Sequence, residues 1–348
     1  SVPLLLDALA QQGLDVADID FVFLTHIHLD HAGGAGLLMQ HLPNARCVLH
    51  PRGAPHMASP EKLIAGTIGV YGEERTREMY GDIVPIEESR IIVAEDGDWF
   101  ELNGRGMQAL HTEGHARHHY VLHDPTSRGV FTGDSFGISY RELDTDNGPF
   151  IFPTTTPASF DPDEAHKAVD RIMACEPEYL YLTHYSRIGD TGRLAADMHR
   201  GIDAFVELAL AHKDDEERSA RIQEAMDDYL STRLVEHGFQ GDRDAIWSTL
   251  NIDIVLNAGE DRKALGATIG QSLPNWGPVA NEGRGRTVAM SNLYTDPDSL
   301  EVKAARAASL LTAEHGKVLS VGDFLPAGDN DVGVEEIANG NGSVLVAY

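Results

Sequence analysis

The chain has 348 residues, 42% of them hydrophobic, enough to bury a full core as one large unit or two smaller ones. Asp and Glu number 55 against 27 Lys and Arg, a formal net charge of −28 that sets aside binding to nucleic-acid phosphates and to anionic membranes. The only cysteines, Cys47 and Cys175, cannot frame a disulfide scaffold, and no apolar run reaches membrane-spanning length, so the expectation is a cytoplasmic protein with reduced thiols.

In chain order, residues 2–12 carry an apolar stripe of Leu5, Ala8 and Leu9 and predict a helix stopped by Gly13. The apolar run Phe21-Val22-Phe23-Leu24 predicts a strand that delivers Thr25-His26-Ile27-His28-Leu29-Asp30-His31. Imidazoles and carboxylates cost several kcal/mol each, roughly, when buried without partners, and metal coordination removes that cost. The i, i+2 spacing of His26 and His28 lets two rings face one ion, while Asp30 and His31 turn toward a second. Residues 35–42 predict a second helix and 47–49 a short strand. Residues 51–85 read as loop and helix, with 62–80 partly helical.

Residues 91–94, 99–102 and 107–110 alternate with the turn signals Asp96-Gly97-Asp98 and Asn103-Gly104 and predict a β meander. Residues 120–123 and 129–132 form a hairpin around Asp124-Pro125. Asp161-Pro162-Asp163-Glu164 places Asp at a helix cap, Pro at the first turn and Glu three residues after the cap, for a helix running to about residue 174. Helices follow over 192–210 and 221–236, joined by a solvated charge run at 213–218. This appendage either covers one side of the core or makes the contact of a homodimer.

Beyond residue 260, a helix is expected over 298–312, and the β-branched runs at 317–321 and 343–348 are candidate strands. Residues 328–331 resemble a calcium loop only in part and read as a surface turn. The absence of any GxGxxG or GxxxxGK motif argues against a nucleotide cofactor.

Four apolar runs end in a metal-ligand type: Leu24 before the His26 cluster, Leu110 before His111 to His115, Thr132 before Asp134, and Thr183 before His184. Chemistry carried at strand ends on a rigid sheet is an economical way to converge such groups. The signature His26-x-His28-x-Asp30-His31, followed in order by His115, Asp134 and His184, resembles the metallo-β-lactamase superfamily of binuclear metal enzymes. Within it the chain looks closer to glyoxalase II-like and lactonase-like hydrolases, or to diiron oxygen-binding proteins, than to antibiotic-degrading members. That resemblance implies an α/β fold, an αββα sandwich with additional helices. It implies that His26, His28 and His115 hold one metal, that Asp30, His31 and His184 hold the other, and that Asp134 bridges them.

The expected cofactors are two transition metal ions, Zn, Fe or Mn, activating a bridging hydroxide for hydrolysis of an ester, lactone or thioester in a small-molecule substrate. The alternatives are a diiron redox protein on the same scaffold and a non-catalytic structural protein. The candidate catalytic residues are Asp30, Tyr185 and His118. His119, Tyr140, Arg117 and Arg187 are further substrate-side candidates, and Ser135 reads as a supporting donor or turn residue. The expected catalytic domain spans residues 1–260, with a helical appendage from about 192, and residues 261–348 are expected as a further α/β segment that could complete the sandwich. Such enzymes normally place strands before the first helix, so the amino-terminal part is expected to be truncated, permuted or completed by the carboxyl-terminal strands.

Overall fold

The computed structural model describes residues 2–258 apart from 103, 156–159 and 185, together with two strands at 318–320 and 343–347. The expected calcium-like turn at 328–331, the helix at 298–312 and Tyr185 lie outside the described residues. Helix α1 (Val2–Gln11) leads into β1 (Ile19–Leu24), the short α2 (Leu29–Ala32), α3 (Ala35–His41) and β2 (Arg46–Leu49). Helices α4 (Ala54–Ala58), α5 (Glu61–Tyr71) and α6 (Glu73–Tyr80) then cross over to β3 (Ile91–Val93).

Strands β4 (Trp99–Leu102), β5 (Arg105–His111), β6 (Tyr120–Asp124) and β7 (Gly129–Gly133) follow as hairpins. Helix α7 (Pro162–Met173) carries the chain to β8 (Tyr179–Leu182) and β9 (Ser186–Ile188). Asp161 caps α7, accepting the Glu164 N–H as the cap motif predicted. Three helices end the continuous part: α8 (Thr191–Ala211), α9 (Arg218–Glu236) and α10 (Arg243–Asn257). The distant strands are β10 (Val318–Ser320) and β11 (Ser343–Ala347).

The strands form two sheets. The first, in the order β10-β11-β1-β2-β3, is parallel throughout; the second, β4-β5-β6-β7-β8-β9, is antiparallel except for the β7–β8 pair that α7 connects. Alternate residues of β1 show why the sheets stack. Val22 and Leu24 pack with Leu5 and Leu9 of α1 and Leu38 of α3, whereas Phe23 points the other way, onto Phe100, Tyr120 and Phe131 of the second sheet. Phe23 and Phe100 meet edge to face across the sandwich at 5.2 Å between ring centroids. The outer face of the second sheet, with Val121, Val130 and Leu180, is covered by Val169 and Ile172 of α7 and Leu194 and Met198 of α8. The layers therefore run helix, sheet, sheet, helix.

One sequence expectation changes and another holds. Residues 91–94 do not join the meander, because the helical crossover from β2 returns the chain beside β2 in parallel, where Cys47, Val48 and Leu49 pair with Ile91, Ile92 and Val93. The carboxyl-terminal runs do form strands, and β11 pairs in parallel with β1 from Ile19 to Leu24, on the flank opposite β2. The helical appendage covers the core: α9 and α10 bury Ile222, Met226, Leu230, Ile246, Leu250 and Ile254 against Ile138, Tyr140, Phe150 and Phe152. Among the described residues no helix is long and apolar enough to cross a membrane.

Candidate metal centre

The loop after β1 is shaped to gather imidazoles. Thr25 and His26 are fully buried, and the hydroxyl of Thr25 lies 3.2 Å from His26 Nδ1, turning Nε2 of that ring inward. His28 caps α2, so Asp30 and His31 leave from its first turn. His115 follows β5, Asp134 follows β7, and His184 follows β8, so three ends of the second sheet meet the loop of the first.

All seven residues expected as ligands converge. Three sets have their ligand atoms mutually within 4.8 Å: His26, His28 and His115; His26, His31 and Asp134; and Asp30, His31 and His184. Asp134 stands at the centre. Its Oδ2 is 3.3 Å from His115 Nε2, 3.5 Å from His31 Nε2 and 4.0 Å from His26 Nε2, while Oδ1 is 3.6 Å from His184 Nε2. His28 Nδ1 lies 3.2 Å from His115 Nε2, and His31 Nε2 lies 3.2 Å from Asp30 Oδ2. Asp30 is the outermost, with 40% of its side chain exposed.

The electrostatics fit a cationic occupant. Burial and the surrounding imidazoles push His26 well below its ordinary range, and burial followed by the repulsion of His115 takes His28 down to about 3, so these rings are neutral and keep lone pairs to offer. Burial opposes charge on Asp134, yet His31, His115 and His184 outweigh it and hold the carboxyl far below the usual range. Burial likewise opposes charge on His31, but Asp30 and Asp134 raise it to about 10, which makes its proton a stand-in for positive charge between two carboxylates. Among the described residues, His26 Nε2, His31 Nδ1 and Asp134 Oδ1 are buried with no hydrogen-bond partner, a cost of about 1 to 3 kcal/mol for each orphaned group that coordination would lift. Nitrogen and carboxylate donors without thiolate suit Zn, Fe or Mn, and the cluster is capable of holding two ions.

Behind this cluster, His119 supports Asp134. Its Nε2 accepts the Asp134 backbone N–H at 3.1 Å, and the hydroxyls of Thr112 and Ser135 lie 2.9 and 3.0 Å from its Nδ1. Fully buried, it does not stand on the substrate side as expected from sequence; it sets the aim of the central carboxylate. Ser135 fits the supporting role expected of it.

Tyr140 also departs from expectation. Its hydroxyl donates to Asp253 Oδ2 at 2.7 Å inside the cluster under α10, away from the imidazoles. Arg187 places its guanidinium 4.4 Å from the Tyr179 ring centroid, and Arg117 is exposed at the surface. His118 does stand beside the centre, half-buried, its ring 5.4 Å from that of His28, with Nδ1 accepting the Ile27 N–H at 3.4 Å. Burial, then the nearby His28, lowers its pKa to about 3. The sequence reading missed Thr154, whose carbonyl accepts from His115 Nδ1–H at 3.4 Å, and Asn257, which holds the next residue. The second left a trace: Asp253 and Asn257 are polar at i, i+4 on the helix face that also carries Ile246 and Leu250.

A protein of Sulfurisphaera tokodaii described as containing a metallo-beta-lactamase fold is 29% identical over 177 residues, 48% of this chain and 60% of that protein. An acyl-coenzyme A thioesterase of Gallus gallus is 28% identical over 122 residues, 32% of this chain and 39% of that enzyme. The chain thus spans well under two thirds of these relatives. Among solved structures, a metallo-beta-lactamase family protein from Thermus thermophilus superposes with a TM-score of 0.46 at 24% identity, covering 60% of this chain and 69% of that one. An archaeal superfamily member from Sulfolobus tokodaii gives 0.44 at 25% identity, covering 52% and 66%. The family model for the metallo-beta-lactamase superfamily matches residues 1–184, more than half of the chain, and the chain belongs to that superfamily.

Proposed function

We propose that this protein is a binuclear metal-dependent hydrolase that cleaves an ester, lactone or thioester in a small molecule. The observation that carries the reading is Asp134, a buried carboxylate whose two oxygens face different imidazoles, with Oδ2 toward His26, His31 and His115 and Oδ1 toward His184. In this reading His26, His28 and His115 would hold one ion and Asp30, His31 and His184 the other, with the Asp134 carboxylate placed between the two sets. Two such ions, when bound, would supply an activated water at neutral pH and polarise a carbonyl.

The protein's own groups then divide the work. Neutral His26 and His28 keep their lone pairs for coordination, because burial denies them protons. Asp30, the most exposed of the set, orients the attacking water at the opening. His118, with Nδ1 occupied by the Ile27 N–H, carries its proton on Nε2 and donates a hydrogen bond to the substrate. Tyr185, which directly follows His184 in the chain, donates to the developing oxyanion. The thioesterase among the relatives favours thioesters within this substrate class.

Elemental analysis of protein purified without chelators tests the reading. Two transition-metal ions per chain are expected, and fewer than one would end it. Asp134→Ala should release at least one ion and lower turnover by about 10²-fold or more on a responsive lactone, thioester or aryl ester. A visible absorption band with two irons and no hydrolysis across that panel would favour diiron redox chemistry instead.

A further inference from the structure

Helix α10 lies beyond the stretch matched by the superfamily, yet two of its side chains bond residues whose chain neighbours contact two proposed ligands. Both routes pass through the segment 138–155, whose ends are bridged by reciprocal hydrogen bonds between Ile138 and Phe152. On one side, Asn257 Oδ1 accepts the backbone N–H of Thr155 at 2.5 Å and its hydroxyl at 2.7 Å. The preceding carbonyl, Thr154 O, faces His115 Nδ1 at 3.4 Å. A carbonyl only accepts, so this contact keeps the proton on Nδ1 and leaves the Nε2 lone pair toward Asp134 and His28.

On the other side, Asp253 Oδ2 accepts the Tyr140 hydroxyl, and the adjacent Ser139 N–H donates to the carbonyl of His184 at 3.5 Å. Asp253 and Asn257 are one turn apart, both buried, and joined by a bond from Asn257 Nδ2 to the Asp253 carbonyl at 2.7 Å. Isolated polar groups would be costly in this apolar cluster, and their partners are the two chain segments that back His115 and His184.

We propose that α10 positions one ligand of each metal, with Asn257 holding His115 through Thr155 and Thr154, and Asp253 holding His184 through Tyr140 and Ser139. The proposal rests on His115 and His184 being ligands. Partners behind a ligand fix its tautomer and direction, and their loss typically weakens metal affinity about 10- to 100-fold. The helical appendage is thereby part of the centre's frame as well as a cover for the core.

The test measures the two zinc dissociation constants of the full chain by competition with a chromophoric chelator, alongside the visible spectrum of the cobalt-substituted protein. Asn257→Leu should weaken one site and Asp253→Leu or Tyr140→Phe the other, each about tenfold or more, with a shifted cobalt spectrum. Asp253→Asn keeps the oxygen that accepts from Tyr140 and should leave its constant within about threefold of the parent. Tyr140→Phe changes no volume in the core, so it reports even where a leucine variant fails to fold. Unchanged constants in Tyr140→Phe and Asn257→Leu, while His115→Ala and His184→Ala each lose an ion, would overturn the role of α10 and leave the metal reading intact. Two ions retained by both histidine variants would overturn the metal reading and this inference with it.

Discussion

Gly133 ends β7 just before Asp134 with φ of +50°, in the left-handed region that glycine enters without strain. A Cβ there would lie 2.4 Å from His119 Nε2 and 2.8 Å from the Thr25 hydroxyl, the first of these being the acceptor for the Asp134 N–H. Gly133→Ala should therefore displace His119 and loosen Asp134, costing about 1 to 3 kcal/mol through the lost hydrogen bond and the strained backbone, read from urea unfolding of the metal-free protein. Tyr185→Phe tests the opposite kind of residue. It should keep both ions and the fold but lose about 10- to 10²-fold in kcat/KM, and an unaltered kcat/KM on every responsive substrate would return Tyr185 to a packing role. The contrast of His118 and His119 shows why residue roles are hard to read from sequence. They are neighbours of the same type, yet His118 lies half-buried beside His28 in the turn before β6 and His119 is sealed behind Asp134.

At the level of elements, the β5–β6 hairpin is tied by a buried ion pair. The Arg105 guanidinium grips both carboxylate oxygens of Asp124, and Asp124 Oδ1 also accepts the Thr126 N–H in the turn that follows. Side-chain exposures of 2% and 0% leave neither charge a route to water. Arg105→Leu should strand the carboxylate and destabilise the fold by about 3 to 5 kcal/mol, whereas Arg105→Leu with Asp124→Leu should recover a large part of that loss in the same denaturant titration. Arg90 does comparable work in the first sheet. Its guanidinium donates to the carbonyls of Met39, Leu42 and Ala45, collecting the free acceptors where α3 ends and β2 begins. Neither arginine was legible as structural from sequence, since each partner is set by pairing between distant segments.

For the whole molecule, α10 is where stability and pH meet. Burial raises Asp253 to about 7, with the Tyr140 hydroxyl opposing the shift. The group thus holds its proton in the folded state at pH values where the unfolded chain, with an ordinary pKa of 3.8, has released it. Its contribution to stability is full below about pH 4 and is lost as pH rises toward 7. Asp253→Asn has no proton to lose, so the variant should gain thermal stability relative to the parent between pH 4 and pH 7 and keep that gain above it. A difference in Tm that does not change across this range would show that Asp253 is charged throughout.

The convergence of the seven candidate ligands was legible in the chain because His26-x-His28-x-Asp30-His31 is local, and each later candidate follows an apolar run that becomes a buried strand. Periodicity and capping likewise determined α1, α3, α7 and α8 to within a few residues, since these signals depend on side chains a few positions apart. Tertiary structure alone decided that residues 91–93 lie beside β2, that β11 lies beside β1, and that Tyr140 and His119 face inward. The physical reason is the same in each case. Strand partners and the burial of a polar side chain are set by what another part of the chain brings to that surface, and no local pattern encodes a neighbour a hundred residues away.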